Sequence, residues 1–330
     1  MARNKLVSSS ISRDFFTKYL LLVATIIVAI LFGLAERRFF KINNLFDIIR
    51  AASLIGIMGI GLTIVQAAGE FDFSIGAQAS FSGVVFAMLM ARKDIGSIWI
   101  GLLIMVCLSV GMGLLNTLFV IKIKMPAFVA TLGFSTVLTG LAKYMTGGGI
   151  YFSLGWPSNF TTIGQKFLFG VIPNLAFCFL IVIFLAWLLM EKTRTGRYIY
   201  AVGLNPTASH HVGINVNRQK AISFIICSVL CGFCGFAQAS MLKSVTPEMG
   251  GGNLLPAIST VMLGATFLRP GVFNILGTAI GALLLAIISN GLTMIGASFF
   301  MKDVIQGIIL LCSVGVIALI RKGGLPSVGI

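Results

Sequence analysis

The sequence predicts an all-α polytopic membrane protein with about ten transmembrane helices, some of them broken near the centre of the bilayer. The 330 residues are 58% hydrophobic and only 10% charged, with a mean hydropathy of +1.03, so they carry too little polar surface to cover a soluble globule. Apolar segments of membrane-spanning length recur from one end of the chain to the other. The net charge of +15 collects in short stretches between those segments, which is typical of loops on the cytoplasmic side.

Ten apolar segments define the predicted spans, and the whole chain, residues 1–330, is predicted to form one transmembrane domain. The segments cover residues 19–35, 48–68, 73–91, 97–121, 125–145, 168–190, 220–243, 253–268, 272–296 and 303–320. Arg3, Lys5, Arg13 and Lys18 precede the first span, and so many spans follow that we expect an uncleaved helix rather than a signal peptide. With ten crossings, the N- and C-termini both lie in the cytoplasm.

The connector from Glu36 to Asp47 opposes this orientation. It lies outside in the ten-span arrangement, yet it contains Arg37, Arg38 and Lys41. The inside segments nevertheless hold 14 of the 24 Lys and Arg residues in less loop length, so the charge bias favours cytoplasmic termini. The basic residues sit between apolar runs and lack an aromatic-interleaved patch, which argues against a nucleic-acid partner.

The segment GEFDFSIG, from Gly69 to Gly76, places two carboxylates between strongly apolar runs. An unpaired charge at the bilayer centre costs at least about 2.5 kcal/mol. Glu70 and Asp72 therefore require a partner, water or an interface. We predict a helix break here, in which Asp72 or Ser74 caps the following helix. The spans at 73–91 and 253–268 are shorter or interrupted by Gly and Pro, and helices of this kind can stop partway across the bilayer.

The longest polar stretch runs from Glu191 to Lys220 and holds five basic residues against one acid. The positive-inside rule places it in the cytoplasm. Asn205 is a good N-cap, Pro206 suits the first helical position, and Gly213 can close the end in a left-handed conformation, so a short helix is predicted. Gly196 and Gly203 are expected to adopt backbone conformations that a side chain would resist. The stretch is either a docking loop for a cytoplasmic partner or a plain charged connector.

Four motifs between residues 43 and 322 resemble the ribose-type permeases, the membrane subunits of bacterial sugar-importing ABC transporters. They are T-x-x-G-R-x-I-Y-A-x-G-x-N from Thr193, the pattern D-x-S-x-G at Asp72, PAFVATLG from Pro126, and a Gly-rich run from Ala257 to Gly296. The resemblance implies a permease in the bacterial inner membrane that imports a monosaccharide such as ribose, or a related small polar solute. It implies three protein partners: an ABC ATPase subunit that binds the ATP, an external solute-binding protein, and a second permease copy or paralogue. Membrane lipid surrounds such a subunit.

The resemblance also implies that residues 191–220 seat on the ATPase. The candidate coupling residues are Gly196, Arg197, Tyr200, Gly203, Asn205 and Gly213. A second set consists of polar residues in apolar surroundings, which are candidates for the helix break or the solute path. These are Gln66, Asp72, Ser74, Asn116, Thr131 and Asn290. For the second set, hydrogen bonding between helices is the alternative role.

The sequence contains no G-x-x-x-x-G-K-[ST] phosphate loop, so we expect no ATPase site and no cofactor in this chain. An enzyme would need a nucleophile and base or a metal cluster, and neither pattern is present. Cys227, Cys231 and Cys234 share a helix face without a histidine or an acid nearby, which favours packing over metal binding. The alternative from another class is a secondary transporter driven by an ion gradient, with Glu70 and Asp72 as its coupling residues.

Overall fold

The computed structural model describes residues 2–91, 97–152, 156–157 and 159–322, with side chains described between residues 19 and 318. Helices dominate this part of the chain, which confirms the predicted all-α class. The helices are α1 (Ala2–Ala35), α2 (Ile42–Ala67), α3 (Ile75–Ala91), α4 (Ile98–Thr117), α5 (Ala127–Thr146), α6 (Thr162–Gln165), α7 (Asn174–Trp187), α8 (Arg194–Leu204), α9 (Pro206–His211), α10 (Val216–Leu242), α11 (Leu254–Gly264), α12 (Ile275–Met294) and α13 (Phe299–Lys322). Two short strands, β1 (Phe167–Leu168) and β2 (Ile172–Pro173), form an antiparallel hairpin.

Short segments of other helix types continue three of these helices. The π-helical turns Leu118–Lys122 and Leu188–Lys192 lengthen α4 and α7, and a 3-10 turn at Gly251–Asn253 precedes α11. Within the described residues, seven helices are long and apolar enough to cross a membrane. They are Ile42–Ala67, Ile98–Lys122, Ala127–Thr146, Asn174–Lys192, Val216–Leu242, Ile275–Met294 and Phe299–Ala318.

Two of the ten predicted spans are shorter than the seven long helices, whereas residues 19–35 form the second half of the 34-residue α1. The first short span, Ile75–Ala91, has 17 residues. The second, α11, has 11 residues, and at about 1.5 Å per residue it is about 16 Å long. That is about half the hydrocarbon thickness of a bilayer. The count of ten full crossings is therefore not confirmed, whereas the expected interruption at 253–268 is present, because the helix ends at Gly264.

The second helix lies at the centre of the bundle. In α2, 83% of the most apolar window is buried inside the protein, against 11% for α13, which lies at the periphery. Small residues allow neighbouring helices to approach α2 closely: a Cβ on Gly61 would lie 3.1 Å from the Cα of Cys227. The hydroxyls of Thr63 and Thr278 are 2.6 Å apart and join α2 to α12.

Two helix pairs share one pattern, in which a helix ends, an irregular segment follows and a second helix begins. The first irregular segment, residues 68–74, joins α2 to α3, and the second, residues 265–274, joins α11 to α12. Asn274 organises the second break: its Oδ1 accepts the Gly277 N–H at 2.7 Å, and its Nδ2 donates to the carbonyls of Gly264 and Phe267 at 3.0 Å. We call these segments the first break and the second break.

The connector between α5 and β1, residues 147–166, is anchored by an aromatic side chain. Trp156 donates its indole N–H to the carbonyl of Ala87 at 2.8 Å and stacks on Phe160 with ring centroids 4.4 Å apart. The loop contains residues 153–155 and 158, which lie outside the described residues. Tyr151 pairs with Val245 in an isolated antiparallel bridge, so this loop is tied to the segment that follows α10.

Candidate functional site

The stretch predicted as a docking loop contains two helices, where the sequence indicated one. The predicted helix is confirmed as α9: Asn205 Oδ1 accepts the Ala208 N–H at 2.9 Å, Pro206 is its first residue, and Gly213 has φ +84°. The unpredicted helix is α8, whose N-cap Thr193 accepts the Gly196 N–H through Oγ1 at 3.2 Å. Because α7 extends to Lys192 and α10 starts at Val216, only residues 193–215 lie between the two membrane helices.

The glycines of α8 are required for a different reason than the sequence suggested. Neither Gly196 nor Gly203 has positive φ, so the expectation of an unusual backbone conformation was wrong. Both lie inside an ordinary helix and are needed because other backbone atoms approach them. A Cβ on Gly203 would overlap the carbonyl oxygen of Ala67, and one on Gly196 would overlap the carbonyls of Leu189 and Met190.

The stretch from Glu191 to Lys220, which was predicted as a docking loop and keeps that name below, is joined to the first break by packing and by charge. Gly203 packs against Ala67 and Gly69, with only 3.3 Å between the Gly203 Cα and an idealised Cβ on Gly69. Lys220, at the start of α10, places Nζ 2.5 Å from Oε1 of Glu70. These side chains are 19% and 16% exposed, so the pair is mostly shielded from solvent. Glu70 therefore has the partner that its apolar surroundings require.

The same loop is joined to the second break. The Tyr200 hydroxyl donates to the carbonyl of Phe273 at 2.9 Å, and Arg269 Nη1 lies 3.3 Å from Glu191 Oε2. Burial and the nearby Glu191 carboxylate raise the pKa of the Tyr200 phenol, which strengthens the preference for the protonated, donating form that tyrosine already has at neutral pH. Tyr200 thus faces the membrane domain and is not available to a cytoplasmic partner.

The opposite side of α8 and α9 is exposed. Its exposed residues include Arg197, Tyr198, Leu204, His210 and Val212. They combine apolar contact surface with a planar guanidinium, which is the composition enriched at protein interfaces. Of the side chains in the predicted coupling set, those of Arg197 and Asn205 are exposed, and Asn205 uses its side chain to cap α9, so Arg197 has the side chain better placed to meet a partner.

The first break is organised around one buried carboxylate. Asp72 is 1% exposed, and its Oδ1 accepts the Ser74 N–H at 2.8 Å and the Ser74 hydroxyl at 2.5 Å. Its Oδ2 accepts N–H groups from the Gln78 amide at 3.1 Å and the Asn116 amide at 3.2 Å. The break predicted at Gly69–Gly76 is confirmed, because α3 begins at Ile75, directly after the Ser74 that Asp72 holds.

The structure brings the side chains of four of the six predicted path residues together at this break. Asp72, Ser74 and Asn116 share hydrogen bonds, and Thr131 Oγ1 accepts the Phe73 N–H at 3.0 Å. Gln66 is buried in the last turn of α2, and neither of its amide atoms has a partner among the described residues. Asn290 lies far along α12, and within the same described part its Oδ1 is likewise unpartnered.

Two adjoining cavities lie on the side of α3 and α5 that leads away from the docking loop. The inner cavity has a volume of about 240 Å³ and is lined by Phe73, Gly76, Ala77, Ser80, Ser135, Thr139, Glu248, Gly251, Gly252 and Leu254. The outer cavity has a volume of about 460 Å³ and is lined by Lys143, Gly148, Gly149, Ile150, Thr246, Pro247 and Glu248. Glu248 lines both cavities, and its carboxylate lies 2.5 Å from Lys143 Nζ.

A polar stripe on α5 runs along these cavities. Thr131, Ser135, Thr139 and Lys143 follow one another at intervals of four residues, which places them on one helix face. Ser135 and Thr139 line the inner cavity, and in the described part of the chain no hydrogen bond involves either hydroxyl. Sequence reasoning selected only Thr131, although the four-residue spacing was available as a signal.

Irregular backbone forms the opposite wall of the inner cavity. The Gly250 N–H donates to Ser80 Oγ in α3 at 2.9 Å, and a Cβ on Gly76 would lie 2.9 Å from the Gly250 carbonyl oxygen. Apart from the 3-10 turn at Gly251–Asn253, the segment before α11 therefore runs beside an apolar membrane helix without being helical itself. Such backbone is tolerated at membrane depth only where it is buried or lines an aqueous cavity. Here it lines the inner cavity.

Comparison with known proteins places this architecture in a family. A family model described as "Branched-chain amino acid transport system / permease component" matches residues 44–314. The chain belongs to this permease family. The Escherichia coli K12 "Ribose import permease protein RbsC" is 32% identical over 312 residues, which are 92% of this chain and 95% of the relative. The Bacillus subtilis 168 protein of the same name is 33% identical over 290 residues, which are 87% and 88% of the two chains.

A third relative of this permease is the E. coli K12 "Galactose/methyl galactoside import permease protein MglC", 26% identical over 324 residues, which are 93% and 96% of the two chains. No solved structure matches the permease at a significant level. The match from residue 44 to 314 includes both breaks, the docking loop and the residues of both cavities. The family thus covers every part of the candidate site.

Proposed function

We propose that this permease is the membrane-spanning subunit of an ATP-driven ABC importer for a monosaccharide such as ribose or a related small polar solute. The relatives named for ribose and for galactose or methyl galactoside support a sugar. The family description names branched-chain amino acids instead, so the family as a whole is not restricted to one solute class. The hydroxyl-bearing wall of the inner cavity favours the sugar.

The observation that carries this proposal is the attachment of one polar loop to both breaks. Gly203 and Lys220 contact the first break, and Tyr200 and Glu191 contact the second. A partner that moves α8 and α9 would move the starting residues of both α3 and α12. Each of these helices follows a break, and the ends of helices and the loops beside them are the positions that absorb hinge motion. A force on the loop would thereby reach the walls of the inner cavity.

The partners follow from this arrangement. An ABC ATPase subunit would bind the exposed side of α8 and α9 and supply the ATP site, since this chain has no phosphate loop. A solute-binding protein would deliver the solute at the outer cavity. A second permease copy or a paralogue would complete the translocation unit. No cofactor is assigned to this chain.

The solute path we propose starts in the outer cavity, passes the Lys143–Glu248 pair and enters the inner cavity. Ser135 and Thr139 offer donors and acceptors to sugar hydroxyls, and Glu248 offers a strong acceptor. A volume of about 240 Å³ is slightly below the roughly 300–1,000 Å³ of sites for drug-sized ligands, which fits a monosaccharide better than a larger molecule. Asp72 and Asn116 stand at the inner end of this path.

The orientation we propose keeps both termini in the cytoplasm and counts ten membrane segments, with α11 as a partial one. The ends of α2, α7 and α11 adjoin the docking loop, which supports one common cytoplasmic face. Val212 is 75% exposed on the loop, and Asn159 is exposed near the other face. After replacement by cysteine, residue 212 should react with an impermeant thiol reagent only from the cytoplasmic side and residue 159 only from outside. Labelling of both from one side would overturn this topology.

The function is tested by reconstitution. Proteoliposomes are prepared with the permease and its ATPase in the membrane, the ATPase facing the lumen, and the binding protein outside. They should take up labelled ribose only when ATP is enclosed in the lumen. Galactose and leucine serve as competing solutes. If either one is transported in preference to ribose, the proposed solute is wrong. Uptake by the permease alone under a proton or sodium gradient would replace the ABC assignment with a secondary transporter.

A further inference from the structure

One basic cluster takes no part in the proposed transport mechanism. The connector residues Arg37, Arg38 and Lys41 are exposed just before α2, Arg50 lies two turns into that helix, and Lys166 is exposed beside β1. The acids in the connector and the first turns of α2 are Glu36 and Asp47. The opposite end of α2 touches the docking loop through Ala67. At about 1.5 Å per residue, the 26 residues of α2 separate its two ends by about 39 Å. The cluster therefore occupies the face that the positive-inside rule expects to be poor in cations.

A groove opens beside this cluster. It has a volume of about 460 Å³, lies between α2, β2, α7 and α12, and is lined only by apolar residues. These are Phe46, Ile49, Ala52, Val171, Ile172, Pro173, Ala176, Phe179, Leu180, Ile183, Ala279, Ile280 and Leu283. A sugar would find no hydrogen-bonding side chain in this lining, so the groove is not a second solute site.

Arg50 stands at the rim of the groove and is fixed there. Its guanidinium lies 4.9 Å from the ring centroid of Phe167, and Phe167 makes an edge contact, at 5.2 Å between centroids, with Phe46 of the groove lining. Nη2 donates to the Gln165 carbonyl at 3.3 Å, and Nη1 lies 3.3 Å from Asp47 Oδ1. Asp47 is 64% exposed, so it neutralises Arg50 only weakly.

The guanidinium also retains an unused donor. Arg50 Nε is buried and has no hydrogen-bond partner among the described residues. A buried N–H without a partner is costly, and a guanidinium matches a phosphate group in geometry and charge. Lys166 is exposed and adjacent in sequence to Phe167, so a phosphate beside Arg50 could meet a second cation.

We propose that this groove binds an anionic phospholipid, with one acyl chain along α7 between α2 and α12 and its phosphate at Arg50 and Lys166. The lining matches an acyl chain and the rim matches a negative headgroup, which is the chemistry of basic pockets between membrane helices that bind anionic lipids. A second copy of the chain fits less well, since a symmetric contact centred here would bring two basic clusters together. The proposal does not depend on the solute or on the ATPase.

The test is photocrosslinking of the intact permease in nanodiscs. A phosphatidylglycerol with a diazirine in its acyl chain should label residues 172–183 and 279–283, and the matching phosphatidylcholine probe should label them at least about five-fold less. The double variant Arg50→Gln with Lys166→Gln should lose the difference between the two probes. Arg218→Gln, an exposed cation at the docking-loop end, is the control and should keep it.

The outcomes separate the alternatives. If Arg50→Gln fails to fold, Lys166→Gln alone should still reduce the phosphatidylglycerol labelling about two-fold or more. Equal labelling by the two probes, or unchanged labelling in the variants, would overturn the anionic site. A third outcome is that lipid labelling disappears when the permease dimerises and that residues 172–183 crosslink the two chains. This would show that a second copy covers the groove and would overturn the lipid site.

Discussion

Gly203 in the docking loop packs so closely on the end of α2 that a side chain there would overlap the carbonyl oxygen of Ala67. Each residue is thus in direct backbone contact with the other, 136 positions apart in a chain of 330. The contact fixes the loop to the first break without any flexible side chain between them. A displacement of α8 at this contact therefore cannot be absorbed by a change of rotamer.

Gly203→Ala should uncouple the loop from the first break. The added methyl group must push Ala67 or α8 away. We therefore expect solute-stimulated ATP hydrolysis to fall at least about ten-fold at matched expression, while the variant still inserts into the membrane. Gly140→Ala is the matched control, since nothing lies within 4 Å of a Cβ at that position. Wild-type coupling in Gly203→Ala would show that the contact transmits nothing.

Asp72→Asn should be tolerated far better than Asp72→Leu. The oxygens Gln78 Oε1 and Asn116 Oδ1 have no partners among the described residues, so both amides can rotate and accept the N–H groups of an asparagine. We expect a loss of folding free energy within about 1 kcal/mol for Asn. Leucine leaves the N–H and the hydroxyl of Ser74 without their acceptor, and the amides of Gln78 and Asn116 keep only Ser74 Oγ. Each buried donor left unpaired costs about 1–3 kcal/mol.

Thermal unfolding in detergent measures the effect of the Asp72 variants on stability, and reconstituted uptake measures their effect on transport. A stable Asp72→Asn protein without transport would mean that the negative charge itself is needed. That result would favour ion coupling or direct solute contact over the helix-capping role.

Two ion pairs of equal length should differ in their contribution to stability. Lys220–Glu70 and Lys143–Glu248 both have an N–O distance of 2.5 Å, but the first is 19% and 16% exposed and the second 53% and 61%. Lys220→Met leaves a shielded carboxylate unpaired and should cost about 2–3 kcal/mol. Lys143→Met should cost less than about 1 kcal/mol because water solvates Glu248.

The double variant Lys220→Met with Glu70→Gln is the further check on the buried pair. It should recover at least half of the stability lost in Lys220→Met, because no unpaired charge remains. Equal unfolding temperatures for Lys220→Met and Lys143→Met would contradict the burial argument.

Ser135→Val and Thr139→Val should impair transport without destabilising the permease. Each removes one hydroxyl from the inner cavity, and a lost hydrogen bond of about 1 kcal/mol raises the apparent KM for solute roughly five-fold. Thr136→Val is the control on the same helix, because Thr136 is exposed on another face and bonds the Leu132 carbonyl. A KM that changes equally in all three variants would exclude the inner cavity as the solute path.

Local chemistry made several features of the fold predictable from sequence. Apolar length identified the membrane helices, and the pair Asn205–Pro206 identified the start of α9, because capping depends on residues next to each other in the chain. The break at Asp72 was predictable for the same reason: a charge in an apolar run requires local compensation.

Tertiary proximity could not be predicted in the same way. Glycine is required at position 203 because the Ala67 carbonyl approaches it closely. Glu70 pairs with Lys220, and Tyr200 donates to the Phe273 carbonyl. All three contacts join residues that are far apart in the sequence. The inner cavity was missed because its far wall is the irregular segment around Gly250, which has no periodicity to detect. Helix α8 was missed because its two glycines are poor helix formers, and packing against neighbouring backbone outweighs that preference.

The contact of Gly76 with Gly250 has a consequence for how such transporters can diversify. Where a helix and a facing segment meet through the main chain of two glycines, their spacing depends on those glycines and not on the side chains that line the cavity. The hydroxyls of Ser135 and Thr139 can then be exchanged without altering that spacing. A new solute preference would require few substitutions, all of them on a scaffold that remains the same.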